Sequence, residues 1–483
     1  MSKTVRDLSP IFEPKSVALI GATNNPFKYG NLIVANILAN GYKGRVYPIT
    51  PNEEKVWDLK TYPRIRDVPE EVDLVDIARP AETVPEHIEE CVESNVKSTI
   101  VISGGFKETG EEGEKHEKEI AAIARKGGML LVGPNTMGIY SGKASLSALM
   151  PPILPKPGEV SLISQSGNIG TNLLAFGSAQ GIGFDKFVSS GNEADITILD
   201  YMEYFAQDPA SKVILLYTEG IRQGRKFIDT VKRITEEKPV IIYKSGVSKA
   251  GAIAAKSHSG ALAGSTKIFE AAIKQSGAIR ASTINEMLDL ALGFLYLPLP
   301  EGNRVGIITW GGGYGVVASD SCELAGLEVP ALTPETIKSI DQFLPSYWSK
   351  GNPVDLVGLL NRDVQPKILE EVVKAENIDM AIASGFILTS NIGSSLFKLL
   401  GREEGEESKL WSEASNKVIV DEVRALVDKY HKPIVSVTVT TDSSTLKKVI
   451  ENRVSAYSTL ETAAQVLSKM YEYKKRTNPK KRK

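Results

Sequence analysis

The sequence predicts an α/β protein of three consecutive domains, each built around a parallel sheet. Short apolar runs typical of strands alternate with helical patterns along most of the chain, and two proline-rich stretches interrupt that alternation. A chain of 483 residues is also longer than one hydrophobic core normally serves. We therefore expect domains over residues 1–150, 151–300 and 301–473, followed by a basic tail over 474–483.

The first predicted domain is a doubly wound, Rossmann-like sheet, because strands, helices and compact loops follow one another in turn. A helix is expected from about Leu32. The stretch 151–157 contains four prolines, which lack a backbone N–H, and it is expected to be a linker. The predicted strands cover residues 16–20, 46–49, 74–77, 99–102 and 129–132.

The second and third predicted domains repeat this alternation. A linker over 298–303 separates them, and helices are expected over 284–295 and 459–469. The predicted strands are 159–163, 213–217 and 240–243 in the second domain, and 304–309, 380–383 and 434–439 in the third.

Charge and cysteine content exclude several classes of function. With 57 Lys and Arg against 59 Asp and Glu, the net charge is -2, so we expect no nucleic-acid partner and no membrane association. Cys91 and Cys322 lie far apart without paired spacing, and we expect them to be reduced core residues of a cytoplasmic protein. The basic tail after Tyr473 is expected to be a solvated end, although a nucleic-acid or membrane arm is the alternative.

His258 is the main candidate for a catalytic residue. It stands in the stretch 256–264, whose small side chains predict a loop with an accessible imidazole. A neutral imidazole is nucleophilic near pH 7 and can carry a phosphoryl group on one ring nitrogen when an acceptor holds the other. The alternative is an ordinary turn in which backbone carbonyls satisfy the histidine.

Glycine-rich turns follow the first predicted strand of each domain, at residues 21–30, 164–170 and 310–315. Free N–H groups at a helix start favour an anion, so these turns are candidate phosphate sites. The turns at 164–170 and 310–315 could each instead be a close packing joint between strand and helix. The predicted phosphate-binding residues, including those around His258, are Ser164, Ser166, Gly167, Asn168, Ile169, Gly170, Ser257, Ser259, Gly260, Gly311, Gly312, Gly313, Tyr314 and Gly315.

The first turn is not a GxGxxG motif, and the second strand ends in Thr50-Pro51-Asn52 without an acid to bind a ribose. Both observations argue against a nicotinamide dehydrogenase. Lys28 and Lys55 are available to another phosphate-bearing nucleotide.

Glu219 follows the apolar strand 213–217, at the rim where open α/β sheets bind ligands. A carboxylate there can accept the imidazole N–H of His258 and raise the nucleophilicity of the other ring nitrogen. The alternative is an exposed rim carboxylate paired with Arg222.

Together these residues resemble the alpha subunit of the nucleoside-diphosphate-forming acyl-CoA synthetases, the superfamily of succinyl-CoA synthetase, over nearly the whole chain. The segments 17–22, 164–170 and 257–260 resemble the CoA-binding opening, the phosphate-binding helix start and the phosphohistidine loop of that family. The turn at 310–315 and the motif Asn352-Pro353-Val354-Asp355-Leu356 resemble its ligase-CoA domain. The order of domains is similar to that of the archaeal ADP-forming acetyl-CoA synthetases.

The resemblance implies a Rossmann-like CoA-binding domain followed by two flavodoxin-like domains. It also implies a set of CoA-binding residues, although the stretch after Thr50-Pro51 lacks the family's usual basic residue. The set comprises Gly21, Thr23, Lys28, Gly30, Lys55, Ile77, Ala78, Arg79, Pro80, Ser103, Gly104 and Asn135.

The function implied is interconversion of acyl-CoA, ADP and phosphate with a carboxylic acid, CoA and ATP. Acetate is the expected acid, and the reaction passes through an enzyme-bound acyl phosphate and a phosphohistidine at His258, oriented by Glu219. An ATP-grasp beta subunit is expected to bind ATP or ADP with Mg²⁺, in an α2β2 heterotetramer, and no metal site is expected in this chain. The alternative is a non-catalytic CoA-binding or regulatory protein of the same fold.

Overall fold

The computed structural model describes residues 5–259, 265–359, 361–387, 398–401, 406–438 and 443–477, without the side chains of 255–259, 406–415 and 443–444. The chain divides into two compact units. The first comprises Met1–Ser178 and Ile182–Ile284, and the second Ala179–Gly181 and Asn285–Lys483.

The strands of the described chain include all those predicted, together with the six-residue strand Phe184–Ser189 and several shorter ones that were not predicted. They are β1 (Ser16–Ile20), β2 (Arg45–Ile49), β3 (Lys55–Val56), β4 (Leu59–Lys60), β5 (Leu74–Ile77), β6 (Ser98–Val101), β7 (Leu130–Val132), β8 (Gly138–Ser141), β9 (Leu146–Leu149), β10 (Pro157–Ser164), β11 (Phe184–Ser189), β12 (Val213–Thr218), β13 (Val240–Lys244), β14 (Ile279–Ala281), β15 (Val305–Thr309), β16 (Val354–Asp355), β17 (Met380–Ser384), β18 (Ile434–Val437) and β19 (Ala456–Tyr457).

The helices lie between these strands, as expected of a doubly wound protein. They are α1 (Ser9–Phe12), α2 (Tyr29–Ala39), α3 (Val84–Glu93), α4 (Glu111–Lys126), α5 (Gly167–Ala179), α6 (Ile198–Gln207), α7 (Gly224–Thr235), α8 (Lys249–Ser259), α9 (Thr266–Ser276), α10 (Ile284–Tyr296), α11 (Gly312–Leu324), α12 (Pro334–Asp341), α13 (Gln365–Val373), α14 (Glu406–Tyr430), α15 (Ser443–Glu451) and α16 (Leu460–Thr477).

The two large sheets of the first unit share one strand order. In the first sheet, neighbours run β2-β1-β5-β6-β7 and are all parallel. In the second they run β14-β13-β12-β10-β11-β8-β9, with β8 antiparallel to both β11 and β9. The earliest parallel strand lies between the second and third in both cases. This flavodoxin-like order creates a switch point, which is where such sheets bind ligands.

The second unit contains a parallel sheet with the same arrangement, β16-β15-β17-β18-β19. The predicted α/β class with parallel sheets is therefore confirmed. The strands are buried on both faces, which explains why they are continuous apolar runs such as Val213–Thr218 rather than alternating ones.

Three details differ from the expected organisation. The hairpin β8–β9 pairs with the second sheet, although it falls within the predicted first domain, 1–150. Helix α8 continues to Ser259, so the backbone at His258 is helical where a loop was expected. Helix α16 continues to Thr477, so residues 474–477 of the predicted tail are helical, and 478–483 lie outside the described chain.

Cys91 and Cys322 are free thiols buried within helices α3 and α11, as predicted for core residues. Burial raises the pKa of the Cys322 thiol to about 12. No helix of the described ranges is long and apolar enough to cross a bilayer.

Asp76 is a charged residue inside the first sheet, between Leu19 of β1 and Ile100 of β6. It is completely buried, and within the described structure neither of its carboxylate oxygens has a hydrogen-bond partner. Burial raises the pKa of Asp76 well above its usual range, because the interior of the sheet disfavours the charged carboxylate.

We expect Asp76→Asn to change how stability depends on pH. An unfolded aspartate ionises near pH 4, whereas burial raises the pKa of folded Asp76, so the wild type loses stability as pH rises from there toward the folded-state pKa. Asp76→Asn carries no proton to lose, so its stability relative to wild type should rise by about 1.4 kcal/mol per pH unit until the folded-state pKa of Asp76 is reached. Urea denaturation followed by circular dichroism from pH 4.5 to 8.5 measures this. The exposed Asp229→Asn is the control, and parallel pH curves for Asp76→Asn and wild type would contradict the expectation.

Candidate functional site

A cavity of about 1260 Å³ lies within the first unit, at the carboxyl ends of the central strands of both sheets. A large part of the predicted site lines this cavity. It includes Glu219 and, from the predicted phosphate site at 164–170 (the phosphate turn), Ser166, Gly167 and Asn168. The predicted CoA-binding residues in its wall are Gly21, Thr23, Lys28, Gly30, Ala78, Arg79, Pro80, Ser103, Gly104 and Asn135.

The turn after β1 is shaped by two glycines in close contact. Gly21 has φ +96°, a left-handed conformation that favours glycine. A Cβ on Gly30 would lie 2.0 Å from the Gly21 carbonyl oxygen, so only glycine lets helix α2 start this close to β1. The turn is therefore both a close packing joint between β1 and α2 and part of the cavity wall.

Glu53, which sequence reasoning did not single out, lies beside this turn. Its carboxylate accepts hydrogen bonds from Thr23 Oγ1 at 2.7 Å and from the Asn24 amide at 2.9 Å. The hydrogen bond from Thr23 is the main cause that lowers the pKa of Glu53. The sequence thus does supply an acid soon after β2, three residues beyond Thr50.

The loops after β5 and β6 form the adjacent wall. Ser103 Oγ donates to the Arg79 carbonyl, and the backbone N–H of Asn135 donates to the Ser103 backbone carbonyl at 2.9 Å. Hydrogen bonds therefore connect Arg79, Ser103 and Asn135, although these residues come from three separate loops.

The phosphate turn and Glu219 meet at the switch point of the second sheet. Ser164, the last residue of β10, is in register with Tyr217 of β12, so the chain leaves both strands at the same level. The Gln165 side-chain oxygen accepts the Glu219 amide N–H at 2.7 Å. The turn and Glu219 are therefore close together in the structure, and the Glu219 side chain is half-buried in the cavity wall.

A polar cluster completes the wall between the two sheets. Asn192 Nδ2 donates to Glu108 Oε2 at 2.6 Å and to Glu117 Oε2 at 2.8 Å. Lys107 Nζ and an Arg222 guanidinium nitrogen both donate to the Asn192 carbonyl, Arg222 at 3.2 Å. Arg222 is thus bound to the Asn192 backbone, and no bond to Glu219 is found for it in the described structure.

Burial and charge change the pKa values in this cluster. Burial lowers the pKa of Lys107, and the neighbouring Arg222 charge adds to the effect. Burial alone would raise the pKa of Glu108, but hydrogen bonds from Asn192 and from backbone amides lower it overall. A cation of reduced basicity and a firmly ionised acid therefore face the same cavity.

Some predicted site residues do not line the cavity. Ile77 is a buried core residue, and Lys55 is exposed on β3, where its carbonyl accepts from Asn24 Nδ2 at 2.7 Å. Ser164 is fully buried, and its hydroxyl closes the turn on the Ser166 carbonyl at 2.6 Å. Ile169 and Gly170 lie in the first turn of α5, where Gly170 packs on Ser164.

The predicted phosphohistidine segment is only partly described. The backbone of Ser257, His258 and Ser259 belongs to the last turn of α8, their side chains lie outside the described structure, and Gly260 lies outside it entirely.

The glycine turn of the third predicted domain lies in the second unit, after β15. Helix α11 begins there, with Gly311 as its N-terminal cap and Gly312, Gly313, Tyr314 and Gly315 in its first turn. A Cβ on Gly312 would lie 3.2 Å from the Asp355 carboxylate, so an acid of the Asn352–Leu356 motif stands beside this helix start.

Comparison with protein families matches three successive parts of the chain. Residues 15–141 match a CoA binding domain, 157–294 a succinyl-CoA ligase like flavodoxin domain, and 305–386 a ligase-CoA domain. The three matched ranges follow the predicted order of domains, and the predicted boundaries themselves stay predictions.

The named relatives are ADP-forming acetate–CoA ligase alpha subunits and an acetyl-coenzyme A synthetase. The alpha subunit of ADP-forming acetate–CoA ligase II of Pyrococcus furiosus is 43% identical over 78% of this chain and 82% of its own length. The alpha subunit of ligase I from the same organism is 42% identical over 73% of this chain and 77% of its own length. The dinucleotide-forming acetyl-coenzyme A synthetase 1 of Candidatus Korarchaeum cryptofilum, solved with phosphate and ADP, is 33% identical with a TM-score of 0.84, covering 97% of each chain. These similarities favour the catalytic hypothesis over the regulatory one.

Proposed function

Since this chain belongs to the family of ADP-forming acetate–CoA ligase alpha subunits, we propose that it interconverts acetyl-CoA, ADP and phosphate with acetate, CoA and ATP. Such an enzyme is an acid–thiol ligase. One observation carries the proposal: one cavity of the first unit is lined by residues of the turn 21–30 (the CoA turn), by residues 166–168 of the phosphate turn and by Glu219. A thioester and a phosphate ion bound to this wall would be in reach of each other.

In the first step, a phosphate oxygen held at Ser166, Gly167 and Asn168 attacks the thioester carbonyl carbon. The C–S bond breaks, CoA leaves as its thiol after taking up a proton, and an acyl phosphate remains. The N–H groups at the start of α5 are suited to the phosphate charge, because a helix N-terminus stabilises anions without a cation.

In the second step, a ring nitrogen of His258 attacks the phosphorus of the acyl phosphate. The bond between phosphorus and the acyl oxygen breaks, and the carboxylate leaves. Glu219 is proposed to accept the N–H of the other ring nitrogen, which fixes the tautomer and stabilises the positive charge that develops on the ring.

The phosphoryl group is then passed from His258 to ADP. We propose that an ATP-grasp beta subunit binds the nucleotide with Mg²⁺ and that two copies of each subunit assemble, since the relatives are named as alpha subunits. The predicted cytoplasmic location stays a prediction.

We expect the full-length chain, purified with any subunit that accompanies it, to acquire label from ³²P-phosphate when acetyl-CoA is present. The label should be acid-labile and base-stable, as expected of phosphohistidine, and its release to ADP should yield labelled ATP. Phosphate without acetyl-CoA is the control and should give no label. An unlabelled chain in the presence of both substrates would overturn the proposed function.

A further inference from the structure

The carboxamide of Gln165 connects the phosphate turn to the segment that carries Glu219. Its oxygen accepts hydrogen bonds from Thr218 Oγ1 at 2.9 Å, the Glu219 amide at 2.7 Å and the Gly220 amide at 3.2 Å. Its nitrogen donates to the Gly220 carbonyl at 3.2 Å. Three donors on one oxygen fix the backbone on both sides of Glu219, so the position of that carboxylate depends on the orientation of the Gln165 amide.

Glu193 holds the other end of this carboxamide. Gln165 Nε2 donates to Glu193 Oε1 at 2.8 Å, and Ser190 Oγ donates to the same oxygen at 3.0 Å. Glu193 is 7% exposed and adopts φ +57°, which is uncommon for a residue with a side chain. A buried acid in a strained conformation persists only where the surrounding structure specifies it.

The loop 190–193 also contacts the part of the cavity wall that carries the predicted CoA-binding residue Asn135 (the CoA wall). The backbone N–H of Asn192 donates to the Pro134 carbonyl at 2.8 Å, and a Cβ on Gly191 would lie 2.3 Å from that same oxygen. Glu193, through its loop, is therefore fixed against the wall that includes Asn135. A continuous set of contacts connects the CoA wall to Glu219 through Glu193 and Gln165.

We propose that Gln165 and Glu193 are positioning residues for Glu219, and that their hydrogen bond keeps the Gln165 oxygen directed at the Glu219 and Gly220 amides. The inference rests on the proposed function, because Glu219 matters only if His258 is phosphorylated. A glutamine suits this place because it offers an acceptor to Glu219 and a donor to Glu193 at once. Reversal of the amide would direct a donor at two N–H groups and an acceptor at a carboxylate.

Gln165→Glu tests the proposal, because it replaces the donor to Glu193 with an oxygen. Two carboxylates then meet at a contact of 2.8 Å, and the segment carrying Glu219 is expected to shift. We expect the rate of histidine labelling to fall about 100-fold, with the KM for acetyl-CoA changed by no more than about 2-fold. Gln165→Met, which removes every hydrogen bond without adding charge, should cause a similar loss and guards against misfolding of the charged variant.

The exchange Gln165→Glu with Glu193→Gln separates positioning from a general structural defect. In the double variant the new amide at 193 can donate to the carboxylate at 165, so the hydrogen bond is restored with its direction reversed, and an oxygen of residue 165 can still face the Glu219 and Gly220 amides. We expect it to recover about 10-fold of the lost labelling rate. The exposed Gln207→Glu is the matched control and should label like wild type.

The outcomes distinguish the two proposals. A wild-type chain that acquires no label contradicts the proposed function itself. A wild type that is labelled, with Gln165→Glu equally fast or with no recovery in the double variant, overturns only the positioning role. Slower labelling in both single variants at 165, with recovery in the exchange, supports it.

Discussion

His258→Ala is expected to abolish labelling by ³²P-phosphate and acetyl-CoA, and with it net synthesis of ATP. Alanine has no nucleophilic nitrogen, and phosphoryl transfer through a covalent intermediate has no alternative acceptor when its nucleophile is removed. CoA affinity measured by calorimetry should stay within about 2-fold of wild type, because the CoA turn lies in other loops.

A substitution at a second histidine, His431, is the control for the loss of an imidazole elsewhere in the chain. His431 is exposed in the second unit and has φ 50°, a conformation that asparagine tolerates. His431→Asn should label fully. Persistent base-stable label in His258→Ala would place the phosphoryl group on a different residue.

The meeting of the phosphate turn and Glu219 was predictable from the sequence, because both follow apolar strands of one parallel sheet. Carboxyl ends of parallel strands lie at one edge, so residues 164–170 and Glu219 had to be near each other if β10 and β12 were neighbours. That they are neighbours follows from the switch in strand order, which single strands do not reveal.

The loop 190–193 was missed because the strand before it was missed. Strand β11 contains Asp185 and Lys186, which interrupt its apolar pattern. Lys186 is nevertheless fully buried, with an ion pair to Asp185 at 2.7 Å and another to Asp208. Pairing of charges allows them to occupy a buried strand, and a sequence pattern does not show that pairing.

The helical backbone at His258 also has a simple local cause. The segment 249–259 is rich in alanine, the residue with the highest helix propensity, although its serines and glycine favoured a loop. Small side chains thus indicated access to the imidazole but not the backbone conformation. The hairpin β8–β9 is a comparable case, since its short strands carry no signal of which sheet they will join.

Glu219→Gln is expected to slow histidine phosphorylation about 10³-fold, because the amide keeps the size of the carboxylate and loses its charge. A neutral oxygen can still accept the imidazole N–H, but it stabilises a positively charged ring far less. The backbone of residue 219 should be unaffected, since Gln165 binds its amide and not its side chain. Binding of acetyl-CoA should therefore be retained while the chemical step is lost.

Single-turnover labelling, quenched in base and compared with the exposed Glu236→Gln, measures this loss. Glu219→Gln should differ from Gln165→Glu in one respect. No substitution at position 193 can restore its labelling rate, because the missing charge lies on Glu219 itself. If Glu219→Gln is labelled as fast as wild type, the carboxylate does not assist the histidine. The contacts between Gln165 and the segment 218–220 would then only stabilise the cavity wall. That result would contradict the positioning role of Gln165 and Glu193 but not the phosphorylation of His258.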